Sequence, residues 1–225
     1  AIGVAVSGEW TPEKLLVRNG ALEALGAIPT TAGGSSSGFL AQVGGAANSV
    51  DGSTTLADGS TVSWGTWASA PGASAKVRQD NGSAVQAPEL GAVNWMLGTA
   101  PRQMPTSGTA VFTPFAAGAV QGATGTMTVD FERRLVQLRN LGFSLGGLSF
   151  SGLNGDTLNP YAASARSGAF SGQFSSGQCS GCTGFSATGS SFNGNFVGKN
   201  ADGAILSTVM STGGGTASGV QLFKR

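Results

Sequence analysis

The close spacing of turn residues in the second half of the chain is the feature that most constrains its fold. From about residue 108 onward, short apolar or alternating runs follow one another with only Gly, Asn, Asp or Ser turns between them. In "GTMTVDF", for example, Met127, Val129 and Phe131 alternate with polar residues, as in a strand with one buried face. Such turns leave no room for crossover helices, so the strands must be antiparallel. An up-and-down barrel or a sandwich is the economical solution to the unpaired sheet edges, and the barrel removes them by closing the sheet. The sequence therefore predicts an all-β fold with a small antiparallel barrel of about eight strands.

Phenylalanine and glycine alternate in a way that favours tight curvature. In "FNGNFVG", residues 192–198, Phe and Gly occupy every second position, and "FSGQF" at residues 170–174 repeats the pattern. A glycine in a strand leaves a gap that a neighbouring ring can cover, and it lets the sheet bend. The four rings that we expect to pack in the barrel are Phe170, Phe174, Phe192 and Phe196. The next residues, 200–203, are predicted to form a hairpin loop in which Gly203 adopts a positive φ.

The first 107 residues give a different pattern, which predicts an N-terminal strand, a short helix and a loop-rich β region. Residues 11–17 begin with a capping Thr, a Pro at the first helical position and a Glu in the first turn, which indicates a helix. "ALEALG" could continue it for another turn. We therefore predict two regions, residues 1–107 and a barrel domain at residues 108–225.

The N-terminal strand has two interpretations. Ile2, Val4 and Val6 alternate with small residues in "AIGVAVSGEW". The strand could add an edge to a sheet of its own molecule, or it could complete a sheet in a neighbouring copy by β-augmentation. A head-to-tail contact of the second kind would build a filament unless its rotation closes a ring.

The two cysteines, Cys179 and Cys182, lie in "QCSGCTG". A redox pair of the thioredoxin type needs a helix N-terminus in a βαβ setting, which nothing nearby predicts. Zinc needs about four ligands, and the chain has no His and no further Cys. A loop-stapling disulfide needs only an oxidising compartment, so it is the interpretation we favour, and it predicts a location outside the cytoplasm.

Composition removes several classes of function. Charged residues make up 10% of the chain and the net charge is +1, so no strong field would attract nucleic acid. No apolar stretch is long enough for a transmembrane helix. Without His, a Ser-His-Asp or Cys-His arrangement is impossible. The Gly-rich segments lack the Lys-Ser/Thr of a phosphate-binding loop. Acids that could form a carboxylate pair are Asp130, Glu132, Asp156 and Asp202, but acids in turns are usually solvated. We predict no catalytic residue, no cofactor and no metal site.

Two groups of segments resemble known families. Phe196, Gly198, Ala201 and Gly203, within "FNGNFVGKNADGAILSTVMSTGGGTASGVQLF", resemble the C-terminal barrel strands of transferrin-binding protein B and its relatives. "DGSTVSWGTW", "LGAVNWMLGTAP", "PTSGTAVFTPF" and "GTMTVDF" are similar to the downstream half of bacterial FecR-domain-containing proteins. Together the resemblances cover residues 58–225 and leave residues 1–57 outside. They imply a barrel at the bacterial surface that serves as a receptor, a haem carrier or another binding module.

Two functional hypotheses follow. In the first, the chain is a non-catalytic structural or protein-interaction module, extracellular or on the outer surface of a bacterium, whose partner is a protein and above all copies of itself. Ile2, Val4 and Val6 would make the assembly contact. In the second, implied by the resemblance, it binds a host protein or a small ligand for iron or haem acquisition. The first fits the residues better, because the chain offers haem none of its usual His ligands.

Overall fold

The computed structural model describes the following residues: 2–6, 14–18, 21–27, 39–43, 48–67, 75–78, 84–86, 93–115, 120–161 and 168–225. Side-chain environments are described within 49–66, 94–115, 120–161 and 168–225. Every regular element in these ranges is a β-strand, which confirms the all-β fold. The described residues therefore contain no helix that could span a membrane.

In the described part of the chain, nine strands precede the barrel and form two sheets. They are β1 (Ile2–Val6), β2 (Lys14–Arg18), β3 (Ala21–Ala27), β4 (Phe39–Val43), β5 (Asn48–Thr55), β6 (Thr61–Trp67), β7 (Ala75–Arg78), β8 (Ala84–Gln86) and β9 (Val93–Thr99). One sheet has the strand order β1-β9-β6-β5 and the other β2-β3-β4-β7-β8. All of their pairings are antiparallel.

The helix predicted near residues 11–17 is wrong where the structure describes it. Lys14–Arg18 is strand β2, and "ALEALG" belongs to strand β3, which pairs with it. Arg18 lies opposite Ala21, so the pairing brackets Asn19-Gly20, a dipeptide that favours a two-residue β-hairpin. Hydrogen bonding of β3 to strands on both sides outweighs the helical signal of the preceding Thr-Pro-Glu, residues 11–13, which lie outside the described part.

Eight further strands close into an antiparallel barrel, as predicted. They are β10 (Thr109–Phe115), β11 (Gln121–Asp130), β12 (Leu135–Leu145), β13 (Leu148–Thr157), β14 (Ala169–Ser180), β15 (Ser186–Val197), β16 (Gly203–Thr212) and β17 (Gly215–Lys224). Each strand pairs with the next, and β17 closes the ring on β10, where Thr113 lies opposite Lys224. The strands lie within the predicted barrel region; the division of the chain into domains at residue 107 stays a prediction.

The sheet β1-β9-β6-β5 packs against the outside of the barrel at β15, β16 and β17. Its apolar contact joins Leu56, Val62 and Met96 of the sheet region to outward-facing residues of the barrel, which are Val197, Ile205, Val220 and Leu222. At another point Trp64 of β6 meets Phe115 of β10 edge to face, with ring centroids 6.4 Å apart. The Lys224 ammonium lies 4.1 Å from the centre of the Phe115 ring and donates a hydrogen bond to Thr54 Oγ1 at 2.7 Å. One side of the barrel is therefore covered by a second layer.

Candidate functional site

The interior of the barrel is filled by aromatic rings. Phe196 lies at the centre of one cluster, with ring centroids 5.0 Å from Phe170, 5.4 Å from Tyr161, 6.1 Å from Phe112 and 6.2 Å from Phe131. The four predicted rings, Phe170, Phe174, Phe192 and Phe196, are all buried in the barrel cluster, as expected. An eight-stranded barrel has room for little more than its own side chains. The interior of the described barrel is thus a packed core.

Missing side chains on two glycines make this packing possible. A Cβ atom at Gly194 would collide with the ring of Phe170, and one at Gly172 would collide with the ring of Phe192. Gly194 lies opposite Phe170 and Gly172 opposite Phe192 in the β14–β15 pair. The ring of each Phe therefore covers the glycine across the strand pair, which confirms the interpretation of the Phe-x-Gly spacing.

Gly198 does not belong to that pattern. It follows the last residue of β15, has a φ of 90°, and a Cβ there would approach Asp58 and Leu56 instead of the barrel interior. The predicted positive φ at Gly203 is also wrong. Gly203 is the first residue of β16, and the second positive φ of this loop, 57°, is at Ala201. Ala201 is fully buried in the barrel cluster, so local packing holds it in a conformation that glycine would adopt more easily.

A polar junction forms where the turn after β5 meets the loop between β15 and β16. In the turn, Asp58 Oδ1 accepts a hydrogen bond from the Ser60 amide at 2.8 Å, which fixes the carboxylate. Its other oxygen, Oδ2, accepts from the Asn200 amide at 3.3 Å, and Lys199 Nζ donates to the Asp58 carbonyl at 3.3 Å. We call Asp58, Lys199, Asn200 and Asp202 the junction cluster. It joins the covering sheet to the barrel.

Two carboxyl groups of the junction cluster have shifted pKa values of opposite sign. Burial, then the charge of Asp58 and a hydrogen bond with it, raise the pKa of Asp202, although the Arg225 guanidinium acts in the other direction. Burial also raises the pKa of Asp58, but hydrogen bonds from Ser60, Asn200 and Lys199 outweigh it, so the net pKa is lowered. Asp202 therefore takes up a proton before Asp58 as the pH falls.

Two of the acids singled out in the sequence bond to nearby arginine residues. Asp130 accepts a hydrogen bond from the Arg133 amide at 2.9 Å, and Asp156 forms an ion pair with Arg139 at 2.7 Å. The partner of Asp202 is Asp58, which sequence reasoning missed because the two residues are distant in the chain. Among the described residues no group of three or more His, Cys, Asp or Glu side chains could hold a metal ion.

Cys179 and Cys182 form the predicted disulfide. Cys179 lies near the end of β14, and Cys182 lies in the connection to β15. Both pack against the barrel cluster together with Phe185, whose ring meets Phe150 edge to face at 5.7 Å. The bond therefore staples the connection to the end of the core.

The exposed surface of β14 and β15 is polar but uncharged. Neither strand contains an Asp, Glu, Lys or Arg residue. The exposed residues, which we call the hydroxyl–amide face, are Ala169, Ser171, Gln173, Ser175, Ser176, Gln178, Ser180, Thr188, Gly189 and Asn193. Hydroxyl and amide groups both donate and accept hydrogen bonds, and removing them from water costs far less than removing a charge. The face is chemically suited to contact another polar surface.

The N-terminal strand lies within its own molecule. Ile2 lies opposite Thr99, Val4 opposite Leu97 and Val6 opposite Trp95 in an antiparallel pair with β9. This is the first of the two interpretations of the alternating N-terminus. The environments of the Ile2, Val4 and Val6 side chains lie outside the described part, and exchange of the strand between molecules stays a prediction.

The fold defines a class: an eight-stranded antiparallel barrel with a flanking sheet. No protein-family model matches the chain, so its resemblance to FecR-domain-containing proteins gains no support, and no curated protein matches it either. Among solved structures, intact Ap-TbpB with its N and C lobes is 13% identical with a TM-score of 0.44, and the match covers 99% of this chain and 46% of that chain. Transferrin Binding Protein B from Haemophilus parasuis Hp5, a vaccine antigen solved as a tryptophan-to-alanine mutant, is 13% identical with a TM-score of 0.37, covering 98% and 43%. The chain spans less than half the length of either protein. The assignment of the barrel rests on the strand pairings of this chain.

Proposed function

We propose that this protein is a non-catalytic binding module at the outer surface of a bacterium, and that it contacts another protein through the outside of its barrel. The observation that carries the proposal is the contrast between the packed aromatic interior and the uncharged hydroxyl–amide face. A filled interior favours recognition on the exterior, where β14 and β15 present a broad polar area. The Cys179–Cys182 disulfide supports an oxidising compartment outside the cytoplasm.

Charge placed on the hydroxyl–amide face tests the proposal. Ser171→Arg puts a large cation on the face, and Thr113→Arg puts the same cation on the exposed outside of β10 as a control. Binding to immobilised transferrin, the probe suggested by the sequence resemblance, and to immobilised copies of the chain is measured by surface plasmon resonance. We expect wild type and Thr113→Arg to bind one of the two, and Ser171→Arg to lose that binding. Equal binding by both variants, or no binding to either probe, would contradict the proposal.

The small-ligand alternative has a direct test of its own. A haem or iron carrier would need an open cavity and ligands, whereas the rings around Phe196 fill the described interior. Purified protein mixed with haem should show no shift of the haem Soret band. A stoichiometric shift would favour haem binding over the exterior contact.

Self-assembly through β1 is the second candidate. The observation that favours it is the position of β1 at the edge of its sheet, where among the described strands it pairs with β9. A terminal edge strand can leave its own sheet and complete that of a neighbour, with Ile2, Val4 and Val6 as the contact residues. Deleting residues 1–8 should abolish oligomers seen by analytical ultracentrifugation while the barrel stays folded. A wild-type chain that is monomeric at every concentration would exclude exchange.

A further inference from the structure

Gln221 of β17 is a polar residue that lies inside the apolar barrel. Gly219 and Phe223 face the interior, and Val220 and Leu222 face the covering sheet, so the alternation of the strand directs Gln221 inward. It lies opposite Leu206 of β16, a residue of the barrel cluster. Only 1% of Gln221 is exposed.

Neither polar atom of the Gln221 amide has a hydrogen-bond partner among the residues that the structure describes. Two other buried polar side chains of the barrel do have partners: Ser190 Oγ donates to the Ser186 carbonyl at 2.6 Å, and Thr157 Oγ1 accepts from the Val136 amide at 3.2 Å. The Tyr161 hydroxyl, like the Gln221 amide, has none among the described residues. A buried amide that lacks both its donor and its acceptor partners is strongly unfavourable, and such groups in native proteins are usually paired with ordered water. Leucine or methionine would fill the same space without that cost.

The surroundings limit what could pair with this amide. Thr208, also fully buried on the inner face of β16, lies opposite Gly219, which contributes no side chain beside Gln221. Thr208 Oγ1 has a weak hydrogen bond of 3.5 Å to the Gly219 carbonyl, so its hydroxyl also has capacity to spare. The buried residues that the structure describes include no charged side chain. A partner must therefore be neutral, small, and able both to donate and to accept.

We propose that Gln221 anchors an internal water site in the barrel, in which one or two long-lived water molecules bridge its amide to the Thr208 hydroxyl. Water has the required size and both hydrogen-bonding roles, and a buried water typically makes about three hydrogen bonds to groups otherwise left unpaired. The Gln221 amide offers both donors and an acceptor, and Thr208 supplies the remaining partner. The site is separate from the hydroxyl–amide face and does not depend on the binding proposed for that face.

Magnetic resonance of the intact protein tests the site directly. In wild type, the side-chain NH₂ of Gln221 should show cross-relaxation with a long-lived water. Gln221→Met, which keeps the length of the side chain without its polar atoms, should lose the bound water and melt at the same or a lower temperature than wild type. Leu206→Met at the paired position is the control and should keep the water signal.

Three results would overturn the water site. One is the absence of a long-lived water signal in wild type, which does not depend on how any variant folds. Another is a rise of the melting temperature of Gln221→Met by about 2 °C or more, since this corresponds to removing an unpaired amide from a chain of this size. The third is a stoichiometric organic molecule in a denatured extract, detected by mass spectrometry, which would replace water as the occupant.

Discussion

Two strands of the same barrel, β14 and β16, bury their residues in different ways. Along β14, from Ala169 to Phe174, exposed and buried residues alternate strictly, with Phe or Gly inside and Ala, Ser or Gln outside. Along β16, every residue from Gly203 to Thr208 is buried, because its inner face packs in the barrel and its outer face packs under the covering sheet. The barrel thus has an open half, which includes β14, and a covered half, which includes β16. Apolar residues lie on the outer face of the barrel where the covering sheet packs against it.

The difference shows how to interpret apolar runs in a chain of this kind. "AFSGQF" has the period-two pattern of a strand with one wet face, whereas "GAILSTVM" places apolar residues on both faces. A continuous apolar run in an antiparallel barrel therefore indicates a strand that another layer covers. The open half keeps its outer face exposed, as the proposed protein contact requires.

The largest expected effect is at the ring cluster that both halves share. Replacing Phe196 with Ala removes the ring that contacts Phe112, Phe131, Tyr161 and Phe170, so we expect the free energy of unfolding to fall by about 3–5 kcal/mol. Asn193→Ala, on the exposed face of the same strand, should change it by no more than about 0.5 kcal/mol. Urea denaturation followed by circular dichroism measures both. Similar losses for the two variants would mean that the cluster does not hold the barrel together.

A smaller loss is expected where a ring covers a glycine in the open half. Gly194→Ala would place a methyl group against the Phe170 ring, which must move, and we expect a loss of about 1–3 kcal/mol. Gly214→Ala is the matched control, because a Cβ there meets only Thr212 Oγ1 at 3.9 Å in an exposed turn. If Gly194→Ala is as stable as Gly214→Ala in the same denaturation assay, the covering of glycines by rings does not shape the barrel.

Reducing the disulfide at the end of the open half should have a modest effect. Only two residues separate Cys179 from Cys182, and stabilisation by chain entropy grows with loop length, so about 2 kcal/mol is expected. Reduced protein should keep its far-ultraviolet circular dichroism and melt only slightly earlier. Loss of the β-sheet signal on reduction would show that the bond holds more than its own loop. Free thiols in protein prepared without reductant would contradict both the bond and an extracellular location.

The smallest effect concerns pH and the junction cluster of the covered half. Because the pKa of Asp202 is raised, the folded state binds the carboxyl proton of Asp202 more tightly than the unfolded state does. The stability that this group contributes is therefore present below pH 3.8 and is lost as the pH rises through the raised pKa. Asp202→Asn should remove this loss and be more stable than wild type at neutral pH. The pKa of Asp58 is lowered, so its contribution is present above 3.8 and lost as the pH falls. Asp58→Asn should therefore be less stable at neutral pH. Melting curves across the acidic range test the pair, and shifts of the same sign would contradict the assignment.

The strands of the barrel could be predicted from the sequence because their signals are local. Alternation at Met127, Val129 and Phe131 and the Phe-x-Gly spacing depend on residues a few positions apart. The junction cluster could not be predicted from the sequence, because Asp58 contacts Asn200 only when the sheet packs against the barrel. Strand β2 was missed for the same reason: local helix signals were overridden by pairing with β3. The buried amide of Gln221 could not be predicted either. The run "SGVQLF" indicates a strand but does not show which of its faces points inward, and the packing of Val220 and Leu222 against the covering sheet decides this.

Thiol labelling of two matched outward positions tests the division of the barrel most directly. Ser171→Cys on β14 and Ile205→Cys on β16 both point away from the interior, and the native cysteines are bonded to each other and do not react. With a maleimide under native conditions, the account predicts rapid labelling of Ser171→Cys and protection of Ile205→Cys until the protein unfolds. Labelling of both variants at the same rate in the folded protein would contradict the covered half, and with it the assignment of the open half as the recognition surface.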